Sequence, residues 1–517
     1  MSKFEKKLFY PTIFLFILAL SFVFNVVDPD FFARVMQGDA FWQTGHILFQ
    51  DPFSYTETHK WIDHEWGSGV IFSLVQNIFG YGGQILLKAV IIYLIILFSV
   101  KIIRLNENMK DKPINLIFVI FVLYAFQILI AEGIRCHFFT FLMFSVFVYF
   151  LELVRNQETN KLLYVLPLMM IFWCNVHGGC VSGIGLLLMY AAGEALNKKP
   201  FTKYLIAALL CSLAIFINPY GIEYIKFLLM ATTMNRAEVN EWHPLFSTAF
   251  SDFLPVKIFI IGTIFTFINR LKNDFKSSYD YTEYIILTVV IFLGLAHIKQ
   301  TPFVVIAAMS YLYKDLYKLY DAIKNKIYSC DTNGVVRDIS KNLLYSFIII
   351  ISLILILTGS YIPKNISYYP YKVVEFIKDN NLSGKILNEF GTGSYLAYKL
   401  YPQMQIFIDG RYEEVYYDTT VRQNDDFYIP NDNWAETLKV SGGADYVIVR
   451  QEFMVYENML REAEKGNYKE IFSDGIFALF CKSEIAKSNY ILRKHTQSEY
   501  ERLFFEKIYN FEETVKS

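Results

Sequence analysis

The chain has 517 residues, of which 54% are hydrophobic and only 19% charged, fewer than the roughly 25% of an ordinary soluble domain. Its formal net charge is −1, so it lacks the basic surplus that a nucleic-acid partner would demand. The six cysteines (Cys136, Cys174, Cys180, Cys211, Cys330, Cys481) show no CxxC or paired spacing, which leaves them as small core residues rather than a disulfide or metal framework.

Apolar residues come in blocks, the longer ones about 16–21 residues, enough to cross a hydrocarbon core of roughly 30 Å as helices. In chain order they are 8–27, 85–103, 114–131, 138–154, 162–176, 181–196, 204–217, 256–268, 284–295, 303–316 and 343–361, about eleven spans. Lys3, Lys6 and Lys7 precede the first block as in a signal peptide. That block is too long for one and no small-residue cleavage site follows, so it reads as a span. Lys and Arg then fix the orientation. With the N-terminus cytoplasmic, one set of gaps holds Lys101, Arg104, Lys110 and Lys112, then Arg155 and Lys161, Lys198, Lys199 and Lys203, Arg270, Lys272 and Lys276, and Lys314, Lys318, Lys324 and Lys326. The opposite gaps hold only Arg34, Lys60, Arg135, Lys226, Arg236 and Lys299. An odd span count puts the C-terminal part outside. Two outer loops are long, 28–84 and 218–255, and the apolar stretches 70–79 and 224–230 within them read as helices lying in the membrane interface.

Seven of the eight histidines fall on the outer side of the membrane domain, His46, His59, His64, His137, His177, His243 and His297, and the eighth, His495, lies in the C-terminal part. The acids Asp28, Asp30, Asp39, Asp51, Asp63, Glu65, Glu132 and Glu241 lie on that outer side too. Ionisable groups at span ends are expensive unless they face a cavity or one another, so these ends are expected to line a polar cavity. The first outer loop opens Asp28-Pro29-Asp30. Two carboxylates this close can supply a general base, with or without a divalent cation such as Mg²⁺ or Mn²⁺; alternatively Asp30 caps the following helix. Asp51, before Pro52, reads as a turn former. Asp63-His64-Glu65-Trp66 suits either sugar binding or an interfacial anchor.

Four shorter patterns follow. In Glu132-Gly133-Ile134-Arg135-Cys136-His137, Arg135 either clamps a phosphate or pairs with Glu132. Asn175-Val176-His177-Gly178-Gly179 lets the backbone approach an anion or makes a tight turn. Glu241-Trp242-His243-Pro244 closes the second long loop, and His297-Ile298-Lys299-Gln300 offers Lys299 as a second phosphate ligand. The candidate substrate-binding set is therefore His64, Glu65, Arg135, His137, His177, Glu241, His243, His297 and Lys299, with Asp30 and Asp28 as catalytic and metal-ligating candidates. No HExxH or HxxxH spacing supports a zinc site.

From Pro363 the chain turns polar and alternates α and β. Strands are expected at 385–390, 405–408, 445–450 and 476–481, and helices at 392–399 and 434–440. This makes 362–485 a small extracytoplasmic α/β domain and 486–517 a peripheral helical extension with its helix at 489–509, after a membrane domain over 1–361. Asp409 and Arg411, at a strand end, either contact a ligand or pair internally.

The segments D-P-D, D-P-F-S-Y-T and H-E-W within 28–66, N-V-H-G-G at 175–179, N-P-Y-G at 218–221 with E-W-x-P at 241–244, and F-I-D-G-R at 407–411 together resemble a bacterial family of multi-spanning GT-C-type glycosyltransferases, similar to the dolichyl-phosphate-mannose mannosyltransferases. The resemblance covers nearly the whole chain. It implies a polytopic α-helical GT-C-like fold in a bacterial plasma membrane. It further implies a catalytic carboxylate in the first outer loop, matching Asp28 and Asp30, a polyprenyl-phosphate sugar donor, and a glycan, lipid or protein acceptor entering from outside. The chain departs from the family pattern at Phe31-Phe32 and Arg34, where a Trp and a His commonly follow the D-x-D. Three other readings stay open: a glycan polymerase or ligase using a lipid-diphosphate donor, which would call for more outer arginines; a transporter, which would call for repeats; and a non-catalytic glycolipid-binding protein.

Overall fold

The computed structural model describes residues 3–105, 114–157, 160–234, 240–274, 279–329, 341–507, 509 and 511. Lys110, Lys112, Arg236, Lys276, Cys330 and 512–517 lie outside the described residues. The chain forms two compact units, 1–25 with 85–361, and 26–84 with 362–517.

The first unit is helical. Each apolar block of the sequence contains a helix, among them Lys3–Val23, His137–Gln157, Val165–Val176, Val181–Leu196, Leu254–Asp274, Tyr281–Ala296, Thr301–Tyr311 and Lys341–Leu357. Among the described residues, four helices are long and apolar enough to cross a membrane by length and composition: Trp66–Leu105, His137–Asn156, Gly178–Leu196 and Leu254–Asp274. Six further apolar helices have 10–17 residues. The block at 303–316 breaks at Leu312, and the polar-faced helix Tyr313–Ser329 begins there. Large apolar side chains such as Leu209, Phe292 and Leu357 are exposed, the placement expected of lipid-facing residues. Helix starts carry side-chain caps: Asn115 accepts from the amides of Ile117 and Phe118, and Asp280 from that of Thr282. At Gly193 a Cβ would lie 2.3 Å from the Cα of Thr282, so glycine lets Val181–Leu196 and Tyr281–Ala296 pack backbone to backbone. Arg155 ties the same region together through Glu152, Glu194 and Asp280 at 3.2, 3.0 and 2.8 Å.

The second unit is built on a five-stranded sheet: β1 (Gly384–Leu387), β2 (Met404–Ile406), β3 (Tyr446–Arg450), β4 (Tyr468–Ser473) and β5 (Phe477–Lys482), in spatial order β2-β1-β3-β5-β4. β1 is parallel to β2 and β3, while β5 is antiparallel to β3 and β4. β4 is half exposed and polar (Tyr468-Lys469-Glu470-Ile471), so it carries no apolar run, and the sequence reading missed it. Residues 53–58, from the segment predicted as an outer loop, run along the open edge of β2. There the Tyr55 amide donates to the Ile406 carbonyl at 3.0 Å and the Ile406 amide to that of Phe53 at 2.9 Å, which covers the strand's unpaired groups.

The stretch 70–79 is helical as expected, within Trp66–Leu105, and only Gly80 leaves the helix, at φ 60° and ψ −164°, a conformation open to glycine. The C-terminal extension is not peripheral. Its described helix is Gln497–Leu503, opened by a Thr496–Glu499 capping box rather than spanning 489–509. Beyond it Phe504, Tyr509 and Phe511 are buried. Phe504 stacks on Tyr395 at 4.8 Å and Phe511 on Tyr401 at 5.8 Å. Cys136, Cys174, Cys180, Cys211 and Cys481 are buried free thiols.

Candidate functional site

Within the second unit, Asp28-Pro29-Asp30 is held from below by Asn365. The Asn365 side chain accepts from the Val27 amide at 3.0 Å and donates to the Val27 carbonyl at 2.8 Å. Proline at the first position starts the helix Pro29–Thr44. The cap is Asp28, not Asp30: Asp28 Oδ1 accepts from the Asp30 amide at 3.0 Å. Asp30 sits in the first turn with its carboxylate over Gly410, where a Cβ would lie 2.4 Å from Asp30 Oδ1. The D-G-R turn therefore needs its glycine to admit Asp30. Its flanking residues pair internally: Arg411 Nε donates to Asp409 at 2.8 Å, and its NH1 to Asp51 at 2.9 Å. Asp51 also turns the chain by accepting from the Phe53 amide at 3.1 Å.

Phe31 and Phe32, where the family pattern has a different aromatic, are core anchors. Phe32 meets Tyr369, Tyr395 and Tyr398 at 5.1–5.4 Å between ring centroids. Arg34 is the hub of a buried charge cluster. It donates to Asp63 at 2.6 Å and to Glu414 at 2.7 Å, and pairs with Glu65 at 2.9 Å. His64 Nδ1 lies 2.8 Å from Glu414, and the Trp61 indole donates to Glu414 at 2.8 Å. Burial opposes the His64 charge, but Glu65 and Glu414 outweigh it and push its pKa up to about 9. Burial would raise Glu414 as well, yet Arg34 and His64 hold it well below its ordinary value. Asp63 is pushed up by burial against the pull of Arg34.

Among the described residues, His64, Glu65 and Glu414 place one potential ligand atom each within 4.8 Å of one another. These three could hold a metal ion, and Arg34 pairs with both carboxylates of the same group. Asp28 and Asp30 gather no third His, Cys, Asp or Glu within that reach among the described residues. The His64 and Glu65 side chains are 13% and 14% exposed and turned onto charged partners.

Within the first unit, a second cluster forms where helices end. Arg135 lies in the link before His137–Gln157, Lys299 in the turn Ile298–Gln300 between two helices, and Glu241 in the turn Asn240–Trp242. Glu241 bridges the two cations: Arg135 NH1 donates to Oε2 at 2.8 Å and Lys299 Nζ to Oε1 at 2.5 Å. Arg135 thus pairs with Glu241, while the carboxylate of Glu132 lies 3.6 Å from His137 Nε2. Burial would raise Glu241, but Lys299 and Arg135 outweigh it and hold its pKa at about 2. The three side chains are 18–20% exposed, open enough to be reached. The turn is pinned beside them. His297 Nδ1 donates to the Trp242 carbonyl at 2.7 Å, the Ile298 amide donates to the His243 carbonyl at 3.0 Å, and Lys299 sits 5.7 Å from the Trp242 ring. His243 enters through this carbonyl. His177 has a local role: its Nδ1 accepts from the Gly179 amide at 2.9 Å and meets Thr140 Oγ1 at 2.7 Å. Of the two readings of that glycine pair, the tight turn is the one observed.

No family model and no curated protein matches the chain. Among solved structures it is similar to the apo oligosaccharyltransferase of Archaeoglobus fulgidus, with a TM-score of 0.54 and 12% identity over 87% of this chain and 70% of that one. The same oligosaccharyltransferase tethered to an acceptor peptide with an NVT sequon gives 0.48 and 12% over 93% and 75%. The A. fulgidus oligosaccharyltransferase AglB in complex with an inhibitory peptide and a dolichol-phosphate gives 0.46 and 11% over 96% and 77%. The fold is similar to that of this archaeal oligosaccharyltransferase. Its long apolar helices, four among the described residues, are those of a membrane protein.

Sequence reading missed Glu414 and the hub role of Arg34. Glu414 sits in Tyr412-Glu413-Glu414-Val415, with nothing to separate it from its neighbour, and its partner is 380 positions away. Gly410 carried a weak signal, a glycine inside the flagged F-I-D-G-R segment.

Proposed function

We propose that the protein is a GT-C glycosyltransferase of the bacterial type it resembles, moving a sugar from a polyprenyl-phosphate carrier to an extracytoplasmic hydroxyl. About eleven spans, a cytoplasmic N-terminus and an outer C-terminal domain complete the reading. The observation that carries it is the pair Arg135 and Lys299 converging on one carboxylate at helix ends, half-buried and cation-rich. Fold alone does not fix function, and this pair is what suits a phosphate.

In the reaction, Asp30 takes the proton of the acceptor hydroxyl. The freed oxygen attacks the sugar's anomeric carbon from the face opposite the phosphate, the carbon–oxygen bond to phosphate breaks, and configuration inverts. The phosphate leaves with the bonding electrons and gains negative charge, which cationic donors stabilise. A second reading is a lipid-diphosphate glycan as the donor; the likeness to an oligosaccharyltransferase fold favours an oligosaccharide as the group moved.

The test is transfer by the purified protein offered polyprenyl-phosphate sugars and lipid-diphosphate glycans, with and without Mg²⁺ or Mn²⁺. Consumption of one donor class by the wild type selects between the two readings. Turnover of none, in a protein that remains folded, removes both.

A further inference from the structure

Glu241 offers the two cations what a phosphate would offer them: two oxygens on one centre, one for each donor. The backbone just after it is anchored, through the Trp242 and His243 carbonyls, so the carboxylate can exchange for another anion by rotation of the Glu241 side chain. The charges favour such an exchange. With Glu241 in place the three residues sum to +1; with it turned away they present +2. A glycosyl phosphodiester carries one negative charge, and the phosphate left after the sugar departs approaches two. The pair without Glu241 therefore matches the departing phosphate better than the bound donor, the direction that speeds a reaction.

We infer that Glu241 is a placeholder anion, occupying the phosphate site of the empty protein and yielding it to the phosphate of the lipid carrier. The inference rests on the phosphate role given above to Arg135 and Lys299. The placeholder keeps two like charges together without a ligand, and it makes every phosphate compete with a tethered carboxylate.

The test measures binding of a short-chain polyprenyl phosphate in detergent, with inorganic phosphate and the matching polyprenol as separate arms. Glu241→Gln should bind the lipid phosphate about tenfold or more tighter than wild type, since one charge-assisted competitor is gone. Glu241→Asp, one methylene shorter and unable to span both cations, should fall between them. A gain with inorganic phosphate alone would assign the site to free phosphate and overturn the lipid assignment. Unchanged or weaker binding in both folded variants would overturn the placeholder. Arg135→Gln and Lys299→Gln separate the two levels. If they weaken lipid-phosphate binding while the Glu241 variants gain nothing, only the placeholder falls. If they too leave binding unchanged, the phosphate role itself falls.

Discussion

Two charge clusters, one in each unit, use the same residue types to opposite ends. Around Arg34, one guanidinium and a protonated His64 face Asp63, Glu65 and Glu414, and every side chain is at most 14% exposed. Each charge there is turned onto an opposite one, and the three carboxylates outnumber the two cations, so the cluster offers an anion no positive surplus. Around Glu241 one carboxylate serves two cations, and the side chains are 18–20% exposed. That cluster has positive charge in surplus and can be reached. A sequence shows both as scattered Arg, Lys, His and Glu; the ratio of charges and the burial decide which one holds the fold and which one can hold a substrate.

The largest expected difference between the clusters is in stability. Arg34→Ala leaves buried carboxylates without a cation and should cost about 3–5 kcal/mol, whereas Arg135→Gln should cost about 1 kcal/mol or less; thermal unfolding in detergent measures both. Phe504→Ala, removing an aromatic stacked in the second unit's core, should cost about 3–5 kcal/mol by the same assay and confirms that the C-terminal segment belongs to that core. pH gives the next effect. His64 is raised from 6.5 to about 9, so its contribution is complete below pH 6.5 and is lost as pH rises through 9. Glu414 is depressed, so its contribution is present above its ordinary pKa of 4.5 and is lost as pH falls below it. His64→Gln should flatten the alkaline limb of the stability profile and leave the acid limb in place. The smallest effect is that of salt. Raising ionic strength should weaken lipid-phosphate binding at Arg135 and Lys299 several-fold while scarcely moving the stability that depends on Arg34, because buried pairs are poorly screened.

Much of the helical fold was legible because long apolar blocks declare themselves by length and composition. The block at 303–316 shows the limit: its apolar run continues past Leu312, where the backbone leaves the helix. Asp28-Pro29-Asp30 was recognisable as a helix start, but which carboxylate caps it depends on backbone geometry, and the structure chose Asp28. Glu241, Arg135 and Lys299 were each flagged singly at helix ends. Their convergence spans 58 to 106 positions along the chain, which spacing cannot reveal. Phe31, Phe32 and Arg34 looked like departures from a pattern and proved to be the contacts through which the helix Pro29–Thr44 joins the rest of the second unit.

The most direct measurement is sugar transfer by wild type and Asp30→Asn, side by side, with thermal unfolding recorded on the same samples. The expected result is turnover of a polyprenyl-linked donor by the wild type and a loss of about 10²–10⁴-fold in Asp30→Asn, at unchanged unfolding temperature. Full transfer by a folded Asp30→Asn protein would overturn the role given to Asp30, and with it the proposed mechanism.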